Sequence, residues 1–135
     1  NLKANEYLYR RVDIEDVVSA HLLAAERAAD IGFAKYIISA STPFLPEHLD
    51  ELRQHTAASV KKLFPEYEAI YASRGWHMLP GIDRVYVNEK ARNELGWQPK
   101  YDFSHILNLL KSGTEDLRSP MARLIGAKGY HVTYC

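Results

Sequence analysis

The sequence predicts an α/β fold that is rich in helices and contains a few short, parallel strands. Short apolar runs that suit buried strands alternate with longer segments of helical periodicity, and this alternation is typical of α/β proteins. With 135 residues, of which 47% are hydrophobic, the chain is long and apolar enough for one core. We therefore interpret residues 1–135 as a single domain or fragment.

The first predicted strand is EYLYRRVDI, residues 6–14, in which tyrosines and branched residues partly alternate with polar ones. Asp13 is suited to cap the helix that follows, because Asp16 lies three residues on and Glu15 falls in the first turn. This helix should extend to about Ala29. Its apolar side chains cover much of its circumference, so we expect it to pack on more than one side.

The second predicted strand is AKYIISA, residues 34–40, an unbroken apolar run of the kind that is buried on both faces of a parallel sheet. Pro46 can begin a helix that runs to about Gln54. Thr56 can cap another helix, which ends at Phe64 before a proline. The chain therefore breaks its helical pattern between residues 54 and 56.

The second half of the chain contains four further predicted helices and one more predicted strand. Gly75 closes a helix in EYEAIYASRG, and the branched run DRVYV at residues 83–87 predicts the third strand. Asn88 can cap the helix EKARNEL, and Gly96 can end it. A short helix should occupy residues 119–125. The segment DFSHILNLLKSG predicts an amphipathic helix whose apolar side is formed by Phe103, Ile106, Leu107 and Leu110.

Charge and composition argue against several kinds of partner. Seventeen basic and 17 acidic residues give zero net charge, so no field of one sign would attract nucleic acid or an anionic membrane. No apolar stretch approaches the ~20 residues of a membrane span. The six histidines include no H-x-x-x-H pair and no nearby cysteine set, so we expect no metal site. The single cysteine, Cys135, excludes an internal disulfide, and we expect a cytoplasmic protein.

Tyr86 and Lys90 have the spacing of a tyrosine–lysine catalytic pair, but their predicted positions argue against that role. Tyr86 lies in the third strand and Lys90 lies beyond the Asn88 cap, so the two side chains should not leave one helix face. The seven glycines contain no G-x-x-x-G-x-G or G-x-G-x-x-G spacing, which dinucleotide-binding loops need. We expect no catalytic and no cofactor-binding residue in this chain.

Three segments form an ordered set of motifs: RRVDIEDVVSAHLLAAERA, then KYIISAS, then RVYVNEKARNELGWQPKYDFSHIL. In the third, Asn88 caps a helix, Gly96 ends it, Trp97 packs, and Pro99 prevents continuation. Together the segments resemble the extended short-chain dehydrogenases, the NAD-dependent epimerase and dehydratase family. The matching family patterns are Arg-x-x-x-His-Val-x-Asp-Val, Y-N-I-G and LGW-x-P. The resemblance covers roughly residues 7–110.

This resemblance implies that the chain is the helix-rich, substrate-side C-terminal part of a Rossmann-type enzyme. The cofactor loop and the catalytic pair would lie upstream, in a nucleotide-binding half that this chain lacks. The polar opening NLKANE, without an initiator methionine, likewise predicts a start within a longer gene product. NAD or NADP would serve the parent, an oxidoreductase, epimerase or dehydratase. Its substrate would be a small molecule such as a sugar or sugar nucleotide.

Arg10, Arg11 and Arg84 are the candidate substrate-binding residues, because guanidinium groups hold phosphates bidentately. The family arginine that grips a diphosphate corresponds to Tyr9, but Arg10 and Arg11 are adjacent to it. Strand alternation would point Arg10 and Arg11 to opposite faces, so at most one of them can face a cleft. The alternative interpretation is that they form surface ion pairs.

A second hypothesis belongs to a different class: a free-standing, non-catalytic binding or self-assembly domain. It is motivated by the lack of a complete active site in the chain. A lone substrate-side part would expose the faces that pack on the missing half, above all the apolar helix at residues 16–29. Such a patch favours self-association into a homo-oligomer.

Overall fold

The computed structural model describes residues 1–126, whose regular structure is helical throughout. Helix α1 spans Leu2–Glu6, α2 spans Ile14–Glu26, and α3 spans Ala28–Ile31; a 3-10 helix at Pro46–His48 leads into α4, Leu49–Leu63. The later helices are α5, Tyr67–Ala72; α6, Glu89–Leu95; α7, Phe103–Lys111; and α8, Pro120–Ile125. Cys135, which excludes an internal disulfide, lies outside the described residues.

The predicted α/β fold of Rossmann type, with a few short parallel strands, is wrong: residues 1–126 contain helices and no β-strand. A strand requires a ladder of backbone hydrogen bonds to a neighbour. Within the described part, only two such bonds join the three predicted strand segments. The Ala40 N–H donates to the Arg11 carbonyl at 2.7 Å, and the Tyr86 N–H donates to the Tyr9 carbonyl at 2.8 Å. Isolated bonds hold the segments together without forming a sheet.

Some helix boundaries follow the predicted signals, whereas others differ from them. Helix α2 ends at Glu26 and not near Ala29. Thr56 lies inside α4, where its hydroxyl donates to the Leu52 carbonyl.

Asp13 caps α2 by accepting the Glu15 N–H at 2.9 Å. Gly96 ends α6 in the left-handed conformation, with φ of 68°. The predicted break between residues 54 and 56 is present as a kink in α4 at His55, whose φ of −136° is not helical. These signals depend on residues within one turn of the chain, so they can be predicted from the neighbouring sequence.

Apolar side chains are buried in two clusters. The larger one involves α1, α4, α5 and α7 and includes Leu8, Tyr71 and Ile106. The smaller one joins α2 to α6 through Ala20, Ala91, Leu95 and Trp97.

Helix α2 contacts α6 and α8, and its predicted packing on more than one side is only partial. Its buried residues are Asp16 and Ala20, whereas Leu22 is 61% exposed. Within residues 1–126, every helix is too short or too polar to cross a lipid bilayer.

Candidate functional site

Arg10 and Arg84, two of the three predicted substrate-binding residues, line one cavity of about 330 Å³. The cavity lies where the segment after α1 meets the segment before α6, which are joined by the Tyr86-to-Tyr9 backbone bond. Both tyrosines line the cavity together with residues 81–83. The structure therefore brings together two arginines that are far apart in sequence.

The loop at residues 81–84 is seated on α4 by two close contacts. The Ile82 N–H donates to the Leu52 carbonyl at 2.9 Å, and the Ile82 side chain is buried. Gly81 lies so near the helix that a Cβ atom there would be 2.5 Å from the Arg53 carbonyl oxygen. Only glycine fits without a shift of backbone, so the loop that carries Arg84 has a defined position.

Arg10 and Arg11 share one carboxylate. Arg10 Nη2 lies 2.5 Å from Glu6 Oε1, and Arg11 Nη1 lies 2.7 Å from Glu6 Oε2. Burial acts to raise the pKa of Glu6, but the bonds from the two guanidinium groups outweigh it, and the pKa of Glu6 is lowered. The side chains meet because residues 7–10 form turns, with the Arg10 and Arg11 N–H groups both bonded to the Glu6 carbonyl. Both arginines thus form ion pairs, as in the alternative interpretation.

Arg11 lines a different cleft from the other two arginines. That cleft has a volume of about 800 Å³ and lies between α1, the start of α2, and residues 115–118. Lys3 and Trp76 also line it. The predicted trio is therefore split, with Arg10 and Arg84 at one site and Arg11 at another.

At the cavity of about 330 Å³, Arg84 is the arginine whose charge can bind a ligand. It is exposed and, within residues 1–126, makes neither an ion pair nor a side-chain hydrogen bond. The charge of Arg10, by contrast, is matched by Glu6, and its guanidinium lies 5.1 Å from the centre of the Tyr9 ring. Asp83 contributes one negative charge to the lining. The site can bind an anionic group at Arg84, with the tyrosine hydroxyls as hydrogen-bonding partners.

Tyr86 and Lys90 do not share a helix face, as predicted. Tyr86 precedes α6 and lines the cavity, whereas Lys90 lies in α6 with its Nζ 5.2 Å from the centre of the Tyr36 ring. In the part of the chain that the structure describes, no group of three or more His, Cys, Asp or Glu side chains could hold a metal ion.

Asn88 joins two of the motif segments and does not cap with its side chain. Its Nδ2 donates to the Ser39 carbonyl at 2.8 Å and to Ser41 Oγ at 3.2 Å, and it makes no capping bond to α6. Sequence reasoning also missed Glu6. Its spacing of four residues from Arg10 is the signal for a helical ion pair, which the strand interpretation concealed.

No protein-family model, no curated protein and no solved structure matches this chain. The family resemblance therefore remains a prediction that rests on the three sequence segments.

Proposed function

We propose that the chain is the substrate-side region of an NAD(P)-dependent oxidoreductase, epimerase or dehydratase related to the extended short-chain dehydrogenases. On its own it is not catalytic. The ordered motif segments support this proposal, and one geometric observation carries it. Arg10 and Arg84 meet at a cavity in which Arg84 has no ionic partner within residues 1–126.

In this proposal Arg84 binds the anionic group of the substrate. A guanidinium forms paired bonds with phosphate or carboxylate oxygens. Arg10 is held by Glu6 and shapes the wall beside Tyr9. The hydroxyls of Tyr9 and Tyr86 bond to substrate hydroxyl groups. The substrate class is a small anionic molecule, such as a sugar nucleotide.

The residues present do not fit the dinucleotide itself, so NAD or NADP belongs to the nucleotide-binding half of the parent. Pyrophosphate is bound by the free N–H groups at the start of a helix. Carboxylates already occupy those positions on α2 and α7, and α4, the longest helix, continues directly from a 3-10 helix. Asp13 caps α2 and Asp102 caps α7. A second anion there would be repelled, and we derive no chemical step through the cofactor in this chain.

Calorimetric titration with UDP-glucose as the probe tests the proposal. We expect Arg84→Gln to weaken binding about 10- to 100-fold, the loss of a charged hydrogen-bonded pair. Arg92→Gln is the matched control, because Arg92 is an exposed arginine of α6 that does not line the cavity. Equal binding by the two variants would refute the role of the cavity. Micromolar binding of NAD(H) by this chain would refute the proposal that the cofactor binds to the missing half of the parent enzyme.

The second candidate is a free-standing binding or self-assembly domain, and the exposed apolar surface after α2 favours it. Phe33 is 83% exposed, Ile37 is 50% exposed, and Leu22 on α2 is 61% exposed. Where exposed apolar groups form a contiguous patch, they mark an interaction site on a soluble protein. A compact monomer by light scattering that binds no apolar dye would count against this candidate.

A further inference from the structure

Helix α4 is bent at His55, whose φ of −136° and ψ of 44° are not helical. Sharp bends in helices occur at proline or glycine, at π-bulges, or where a side chain enters the ladder of backbone bonds. The α4 sequence, LDELRQHTAASVKKL, contains neither proline nor glycine. A side chain does enter its ladder, because Thr56 Oγ1 donates to the Leu52 carbonyl at 2.6 Å. Threonines bonded to the carbonyl four residues back often bend helices, so Thr56 accounts for the bend.

An ion pair across the bend shows how far α4 departs from a straight helix. Lys62 Nζ lies 2.6 Å from Glu51 Oε1, although the two residues are 11 positions apart. At a rise of about 1.5 Å per residue, a straight helix would separate them by about 16 Å along its axis. The two side chains cannot span that distance, so the pair forms only while α4 is bent. The neighbouring Lys61 pairs with Glu68 of α5, on the same side of the bend.

The bend lies beside the contact that seats the loop at residues 81–84. The Leu52 carbonyl accepts two bonds, one from the Thr56 hydroxyl and one from the Ile82 N–H at 2.9 Å. In a straight helix this carbonyl would point along the axis to the N–H of residue 56. In the bent α4 it accepts a donor from outside the helix. Thr56 and Leu52 are fully buried and Ile82 is 2% exposed, so water cannot replace either bond.

We infer that Thr56 is a positioning residue for the cavity that Arg84 lines. Its hydroxyl keeps α4 bent, and the bent helix offers the Leu52 carbonyl to the Ile82 N–H. The loop seated in this way holds Arg84 at the cavity. Thr56 itself does not line the cavity, so it acts on a ligand through the loop. This role of Thr56 deepens the proposed function and rests on it, because it concerns the same cavity.

Thr56→Val removes the hydroxyl and keeps the shape of the side chain, whereas Thr56→Ser keeps the hydroxyl. Amide hydrogen exchange measured by NMR reports the seat of the loop at the Ile82 N–H and unfolding of the whole fold at the Ile106 N–H of α7. In Thr56→Val, we expect exchange at Ile82 to become about tenfold faster and exchange at Ile106 to change much less. Thr56→Ser should exchange like the parent chain. An unchanged rate at Ile82, equal increases at both amides, or a serine variant as affected as the valine variant would overturn the inference.

Lys62→Gln tests the bend at an exposed position, since the Lys62 side chain is 66% exposed. The variant loses the ion pair across the bend, and we expect exchange at Ile82 to rise about twofold, as for a surface pair. Lys61→Gln is the matched control, because it loses a pair that does not cross the bend and should leave Ile82 unchanged. If Thr56→Val does not fold, these two variants decide. Equal rates at Ile82 would show that the bend does not control the loop and would overturn the inference.

Calorimetric titration with UDP-glucose separates this role of Thr56 from the proposed function. We expect Thr56→Val to weaken binding about tenfold and Thr56→Ser to bind like the parent chain. Unchanged binding by Thr56→Val, with faster exchange at Ile82, would overturn the positioning role. If the parent chain binds no UDP-glucose, the proposed function fails, and selective exchange at Ile82 still supports control of the loop by Thr56.

Discussion

Asp16 holds Trp97 and the chain that follows it through both its backbone and its side chain. The Trp97 Nε1–H donates to the Asp16 carbonyl at 3.2 Å and to Ser19 Oγ at 3.0 Å. The Asp16 carboxylate accepts the N–H groups of Lys100 at 2.9 Å and Tyr101 at 3.0 Å. Asp16 and Trp97 are each 1% exposed, so water cannot replace these bonds. This arrangement fixes α2 to the segment after α6.

Asp16→Asn should lower the free energy of unfolding by about 1–3 kcal/mol, as expected when a buried donor is left unpaired. An amide has one acceptor oxygen, and its NH₂ group would face a backbone N–H. Urea denaturation measures the change. Asp30→Asn, at an exposed position of α3, is the control. Equal stabilities of the two variants would show that the carboxylate bonds contribute little.

Tyr101→Phe should make the protein less sensitive to alkali. Burial and the hydrogen bond from Tyr101 Oη to Glu15 Oε2, at 3.0 Å, raise the pKa of Tyr101 to about 12. Because this pKa exceeds the ordinary tyrosine value of about 10, folding favours the neutral phenol. Its stabilising contribution is complete below pH ~10 and is lost as the pH rises towards about 12. Urea denaturation across this window should show a smaller loss for Tyr101→Phe than for Tyr86→Phe.

The substitution Asn88→Asp tests whether the Asn88 side chain caps α6 or joins α6 to the segment at Ser39. A cap would tolerate the change, because Asp caps helices as well as Asn does. The structure predicts a loss of about 1–3 kcal/mol, because a carboxylate cannot donate to the Ser39 carbonyl and would face it in a buried site. Urea denaturation decides between the two. Asn93→Asp, at an exposed position in α6, is the control, and a loss no larger than that of the control would support capping.

Gly81→Ala should cost about 1–3 kcal/mol of stability, because the new Cβ would overlap the Arg53 carbonyl and move the loop off α4. The shift should also weaken UDP-glucose binding, because Arg84 moves with the loop. Gly75→Ala is the control: its φ of 64° strains alanine, but the space around it is open. It should therefore lower stability and leave binding unchanged. Unaltered binding by Gly81→Ala would show that loop position does not matter to the cavity.

The helices were predictable because their signals are local, whereas the strands and the site depend on distant residues. Asp13 and Gly96 act within one turn, and the break at His55 lies where the pattern predicts it. The run at residues 34–40 has strand composition, but a ladder also needs a neighbouring segment, which residues 1–126 do not provide.

The sequence predicted three arginines as candidate site residues, and two of them, Arg10 and Arg84, line one cavity. The sequence could not predict which of these arginines share a cavity, because Arg84 is positioned by the contact between Gly81 and α4. Treating residues 6–14 as a strand also separated Arg10 from Arg11, although both bind Glu6. Sequence patterns could therefore predict helix ends and candidate cations, but not which of those cations share a cavity.

The bond between Asp16 and Trp97 has a consequence for synthesis on the ribosome, because 81 residues separate its two ends. At about 5–20 residues per second, α2 is made about 4–16 s before Trp97 is available to it. During this interval the side of α2 that later contacts Ala91, Leu95 and Trp97 has no partner from that region. Slower translation of the intervening codons would lengthen the interval. The nascent chain would then depend more on chaperones that shield apolar helices.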